Sequence, residues 1–306
     1  MRSPVLALTV ATFTLASGAH AQENSQSDPA ALVKEAQKLE SSGKLPEALA
    51  RYREILKENP SQFDAHLGIG RVLDNEGKFA DARQHIQKAI ELAPESGQNA
   101  ALSTMGVAYA FEGNAAESAK YLQKVFDRQV QAGAPGAAAG TANALGRVYL
   151  EAGDADNAGK WYRTGYETAQ KIEERSPEDV DLWEMRWLHA QARIAARRKQ
   201  FDLARKHADA VRIIVEKGTL DEGQRINYPY LTGYVAFYEG RYDQAIAELA
   251  KADQEDPFIL SLLAQAYEQQ KDQAKAVELY KRILELPGHS LQVAFSRPLA
   301  QRRVAR

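Results

Sequence analysis

The sequence predicts an all-α chain, an array of about seven helix–turn–helix repeats closed by a C-terminal capping helix. Three observations carry that prediction. A small residue recurs at Ala36, Gly70, Gly106, Gly146, Ala192, Gly233 and Ala264. Twelve residues after each stands a second small residue, at Ala48, Ala82, Ser118, Ala158, Ala204, Ala245 and Ala276. Between the two members of five of these pairs falls a glycine, at 43, 77, 113, 153 and 240. A period of about 34 residues is the mark of a stacked helical-hairpin array. Two antiparallel helices approach to about 8–10 Å only where the residues at their contact are small. Large residues such as Tyr109, Tyr149, Tyr162, Tyr267 and Tyr280 then fill the space around each crossing. The glycines suit a helix C-terminus that enters the left-handed region of backbone space.

Taken in order, the chain begins with Arg2, an apolar run from Val5 to Ala16, and the ending Ser17-Gly18-Ala19-His20-Ala21. A basic start, a short apolar stretch and a small-x-small ending predict a secretory signal over residues 1–21, cleaved after Ala21. The run is too short to span a bilayer as a helix. Residues 22–28 read as a polar linker, with Asp28 able to cap a helix that opens on Pro29. The repeats then occupy residues 29–288. Ala132-Gly133-Ala134-Pro135-Gly136 predicts a flexible connection between repeats three and four. About a dozen extra residues separate repeats four and five, which predicts long helices there, one running past Tyr166 to Arg175. Ser176-Pro177-Glu178-Asp179 supplies a cap, a first-turn proline and acids at the positive end of the next helix dipole. Trp183 and Trp187 are expected to pack at this joint. Within residues 289–306, Leu291–Val304 reads as the terminal helix that covers the open face of repeat seven, with Pro298 expected to kink or interrupt it.

These repeats resemble the tetratricopeptide repeat (TPR) family. Repeat two carries Ile69-Gly70, Leu73, Gly77, Phe79, Ala82, Ala89 and Pro94; repeat six carries Gly233, Gly240, Tyr242, Ala245, Leu249, Ala252 and Pro257. Repeat seven shows Leu263-Ala264, Tyr267, Ala276 and Tyr280, while repeat five is the poorest copy, held by Ala192, Phe201 and Ala204. None keeps the family's tryptophan. The resemblance implies a right-handed superhelix with a concave groove that binds a protein or peptide partner, and it implies a non-enzymatic scaffold.

Composition agrees with an interaction role more than with a nucleic-acid or membrane-surface one. The formal charge is −2, and −3 once Arg2 is removed with residues 1–21, which is weak for 306 residues. There are no cysteines, so thiol chemistry and disulfides are excluded. With the signal-like start, a periplasmic or secreted location and an envelope assembly are expected, with no transmembrane segment after cleavage. No cofactor is expected. Gly68-Ile69-Gly70 lacks the third glycine and the preceding strand of a dinucleotide loop. Ser41 and Lys44 have the spacing of a serine–lysine nucleophile pair but sit in a repeat turn. Asp64 with His66, or Asp81 with His85, could offer metal ligands, yet no paired-ligand motif completes them and no metal site is expected. The acids Glu173, Glu174, Glu178, Asp179 and Asp181 suit a solvated helix junction.

One constellation stands apart. Mapped onto the family's groove-lining positions, repeat four gives Asn143 and Arg147, and repeat five gives Arg186, His189, Arg193 and Arg197. Repeat six gives Asn227, Tyr230, Tyr234, Phe237 and Tyr238. The resemblance therefore implies a basic groove section followed by an aromatic one. Tyr230, Tyr234 and Tyr238 are four residues apart and share a helix face. Guanidinium forks favour carboxylates, and tyrosine faces suit peptides or sugar rings. A peptide tail or acidic polymer across repeats four to six is one expectation; packing and solvation of the same residues is the other. A glycan-binding module and, more remotely, a hydrolase on a helical array are the competing functions. The lysine–asparagine set of the family's carboxylate-clamp subgroup is missing, so that subgroup's chaperone-tail function does not carry over.

Overall fold

The computed structural model describes residues 29–305. The expected signal sequence and cleavage site, the expected linker and the expected Asp28 cap lie outside them. The described residues form helices joined by short turns, with no strand among them. Seven hairpins follow one another: α1 (Pro29–Ser41) with α2 (Leu45–Glu58), α3 (Phe63–Asn75) with α4 (Phe79–Leu92), and α5 (Glu95–Phe111) with α6 (Ala115–Gln131). Then come α7 (Pro135–Glu151) with α8 (Ala155–Ala169) and α9 (Pro177–Arg197) with α10 (Phe201–Glu216). A single turn, α11 (Glu222–Arg225), precedes α12 (Asn227–Tyr238) with α13 (Tyr242–Leu249); α14 (Pro257–Gln269) pairs with α15 (Gln273–Glu285), and α16 (Leu291–Val304) ends the chain.

The small residues sit where the helices cross. A Cβ on Gly70 would stand 2.4 Å from the Ile86 side chain, and one on Gly146 would stand 2.8 Å from the Tyr162 ring. Both helix pairs would have to move apart to admit a methyl group. The turns follow one pattern, seen at Gly77: its N–H donates to the Asp74 carbonyl, and Lys78 N–H donates to that of Leu73. Gly77 has φ +77°, a conformation in which a Cβ is strained. In repeats five and seven the same place is held by Lys199 (φ 58°) and Lys271 (φ 63°), which is why the glycine signal fails there although the turn persists.

Two local expectations are corrected. The helix expected to reach Arg175 ends at Ala169, because Lys171 and Ile172 N–H groups already turn back to the Thr168 and Ala169 carbonyls and Glu174 takes φ 51°. The added length lies instead in α9, a 21-residue helix opened by a capping box in which Ser176 and Asp179 bond reciprocally. Trp183 is buried against Ala139, Ala169 and Ile172, and Trp187 stacks on Tyr166 at 5.8 Å, so both pack at the α8–α9 joint. The connection expected to be flexible is a tight turn in which Ala132, Gly133 and Ala134 N–H groups bond the Arg128, Val130 and Gln129 carbonyls.

The first helices touch one another along the stack, α1 to α3 to α5 and α9 to α12 to α14, and form the inner layer. Helix α16 covers repeat seven, with Ala300 packed among Leu260, Ala264 and Tyr280. It runs through Pro298 without interruption, and Arg297 donates to the Leu284 and Leu286 carbonyls at the end of α15. Its first turns go further. Leu291, Val293 and Ala294 are buried against Val107, Ala110 and Phe111 of α5 and against Leu145 and Val148 of α7. The C-terminal helix therefore lies on the inner layer and bridges from repeat seven to repeats three and four.

The residues before α16 complete this bridge. His289 and Asp74 meet with their Nε2 and Oδ2 atoms 2.8 Å apart, in a contact closed from solvent. Phe111 stacks on the His289 ring at 5.2 Å, and Asn75 Nδ2 donates to the Gly288 carbonyl at 3.0 Å. Burial pushes the Asp74 carboxyl above its ordinary range, against the hydrogen bond with His289 that pulls it down.

Candidate functional site

Three inner helices bring the predicted groove residues together. On α7, Asn143, Arg147 and Glu151 follow at intervals of four; on α9, Arg186, His189, Arg193 and Arg197 follow at three or four. Such spacing lays each set along one helix face. Asn143, Arg147, Arg186, His189 and Arg193 line one cavity of about 400 Å³. Asn227 and Gln224 close one side and Leu291 and Gln292 of α16 another. No aspartate, glutamate or serine lines it.

The other predicted residues go elsewhere. Tyr234 is fully buried and Tyr230 nearly so, within the core that α9, α12 and α14 share. The aromatic section expected beside the basic one thus faces the core. Burial raises the phenol of Tyr234 well above its usual range and keeps it neutral. Tyr238 accepts a hydrogen bond from Arg197, whose other nitrogen donates to the Leu150 carbonyl at 2.6 Å. Arg197 also stands 3.5 Å from Glu151. It ties α9 to the end of α7 and to α12, which makes it a structural clamp.

The cavity's own cations are less well provided. Arg193 is 7% exposed; its Nη2 donates to the Tyr162 hydroxyl at 3.0 Å, but its Nε has no partner. Arg147 lies over the Phe258 ring at 4.4 Å, and its Nε and Nη2 are buried without a partner. Arg186 lies over Trp183 at 4.8 Å, and burial alone pulls its pKa below the ordinary value, with no acid to offset it. His189 is 8% exposed, with an unpartnered Nε2. Burial first, then Arg193 and Arg147, hold its pKa well below the usual histidine value, so the imidazole is neutral. Guanidinium does not shed its proton in a protein, so this wall keeps its positive charge.

The remaining sequence candidates are ordinary structure. Ser41 Oγ bonds back to the Lys38 carbonyl within the first turn region, and Gly68-Ile69-Gly70 is buried in α3. His66 and His85 face each other with Nδ1 atoms 3.0 Å apart. Among the described residues no three potential metal ligands gather. The residues that the sequence could not supply are Leu291 and Gln292: nothing in a repeat pattern signals that a terminal helix returns to repeat four.

The tetratricopeptide repeat model matches residues 33–97 and 230–290. These two stretches are tetratricopeptide repeats. Among solved structures, a tetratricopeptide repeat protein from Parabacteroides merdae aligns with a TM-score of 0.54 at 12% identity, over 90% of this chain and 97% of its own. The apo form of RapI aligns with a TM-score of 0.57 at 14% identity, over 90% and 98%. Such distant likenesses carry the fold of the TPR array and leave its partner open. No curated protein matches the chain. The two matched stretches cover repeats one and two and repeats six and seven, so most of the cationic wall, on α7 and α9, falls in the unmatched middle of the TPR array. No described helix is long and apolar enough to cross a membrane.

Proposed function

We propose that this TPR array is an exported, non-enzymatic interaction scaffold that holds a partner protein or peptide, in an envelope assembly, on the inner face of repeats four to six. The observation that carries the reading is the division of that inner face. Across repeats three and four it is already covered by α16, while the cavity between α7, α9 and α12 remains open and is lined by donors. The signal-like start from Arg2 to Ala21 supports export. The glycan alternative loses its support, because Tyr230 and Tyr234 offer no exposed ring face. A hydrolase would need a nucleophile beside a base, and His189 has no serine, aspartate or glutamate with it in the cavity lining.

The test is photo-crosslinking in the living source cell. A photoreactive residue at Gln292, on the rim, should capture one dominant partner, and the same group at exposed Lys88 of α4 should not. Equal capture at both positions would reject the assignment to this face.

A further inference from the structure

We infer that the cavity between α7, α9 and α12 is an anion site that takes a compact oxyanion group carrying at least two negative charges. This rests on the scaffold reading for its location but not for its chemistry. Arg147, Arg186 and Arg193 converge on one cavity whose lining holds no carboxylate. Glu151, at the end of α7 and outside the lining, stands 3.5 Å from Arg197, and its charge also acts on Arg193. Four guanidiniums thus share one carboxylate, and a buried guanidinium left without a counter-charge is costly. Two other enclosed guanidiniums are met differently: Arg71 by Glu40 through two bonds of 2.6 and 2.7 Å, and Arg297 by the Leu284 and Leu286 carbonyls at the end of α15. Arg147, Arg193 and His189, which line the cavity, each carry a nitrogen that is closed from solvent and without a partner.

The shape narrows the ligand. About 400 Å³, with Leu291 and Gln292 on one side, is the scale of a small group rather than of a long segment. It admits a small molecule or the acidic side chains of a short segment. Arginine forks match carboxylate oxygens two at a time, and the Asn143 amide in the lining can donate to a remaining oxygen. The shared chemistry is a polycarboxylate, whose source is either a free metabolite-sized anion or glutamates on a partner.

The experiment measures binding of citrate and of a tetraglutamate peptide to the full chain by calorimetry, with thermal melting in parallel. Wild type is compared with Arg147→Met, Arg186→Met and, as a charge control outside the cavity, Arg163→Met on α8. At least one of the two probes should bind and raise the melting temperature. Either cavity variant should weaken that binding tenfold or more, while the control stays within twofold. Tighter binding of citrate assigns a free anion, and tighter binding of the peptide assigns partner glutamates. Binding by neither probe, or equal binding by Arg147→Met and wild type, overturns the inference. Loss of the anion site with partner capture at Gln292 intact would sink this proposal and leave the scaffold reading standing; anion binding without any captured partner would do the reverse.

Discussion

Two parts of the same inner face treat buried charge in opposite ways. Where the C-terminal segment crosses repeats two and three, Asp74 is fully enclosed, yet His289 meets it at 2.8 Å and Asn75 takes up the neighbouring carbonyl. Where the face opens across repeats four to six, the half-buried Arg147 and Arg186 and the buried Arg193 lie over aromatic rings, with no acid in the cavity lining. In the first region the buried carboxylate meets a side chain of the chain itself, although its other oxygen has no partner. The second is left electrostatically incomplete, which is what a site for an outside anion requires.

The comparison can be broken most forcefully at its paired end. Asp74→Ala leaves the buried His289 without its partner and opens a small void, and should cost about 3 kcal/mol in urea unfolding. A loss under about 1 kcal/mol would mean that the two ends of the array do not depend on this contact. At the unpaired end the sign should reverse. Arg147→Met keeps the length of the side chain over Phe258 while removing an uncompensated charge, and should raise stability by about 1 kcal/mol in the same assay. A clear loss there would show that Arg147 has a structural partner. The smallest effect concerns acid. His85 and His189 are both held below the ordinary histidine value, His85 by burial and then His66, His189 by burial and then Arg193. A base depressed in the folded state contributes stability above its unfolded value of about 6.5 and loses it as pH falls, because the unfolded chain then binds more protons. Each can cost at most about 1.4 kcal/mol per pH unit. Melting curves between pH 7.5 and 5.5 should slope downward toward acid, and His189→Gln should flatten that slope.

The repeat fold was legible because its signals are local and recur: Gly146 must be small opposite Tyr162, and the same demand returns in each hairpin. The basic set on α7 and α9 was legible for a related reason, since spacing of three and four residues fixes a helix face. The tyrosines of α12 were harder. That helix is apolar nearly all round, and periodicity alone does not say which side meets α9 and α14 and which meets solvent. The return of α16 was not legible at all. His289 and Asp74 are 215 residues apart, and no periodic pattern links a terminal segment to one particular earlier repeat. The α8 helix ended early for a comparable reason, because a positive φ at Glu174 has no glycine to announce it.

The claim on which the two-region account rests is that the C-terminal segment from Gly288 onward closes across the inner face and meets repeat two at Asp74 and Asn75. The chain has no cysteine, so nitroxide labels can be placed singly and without background at exposed Glu76, at the end of α3, and exposed Arg302, late in α16. Double electron–electron resonance between them should give one narrow distribution at the short end of the measurable range. A broad distribution centred at long distances would show that α16 does not bridge the array, and the division of the face into a covered and an open region would fall with it.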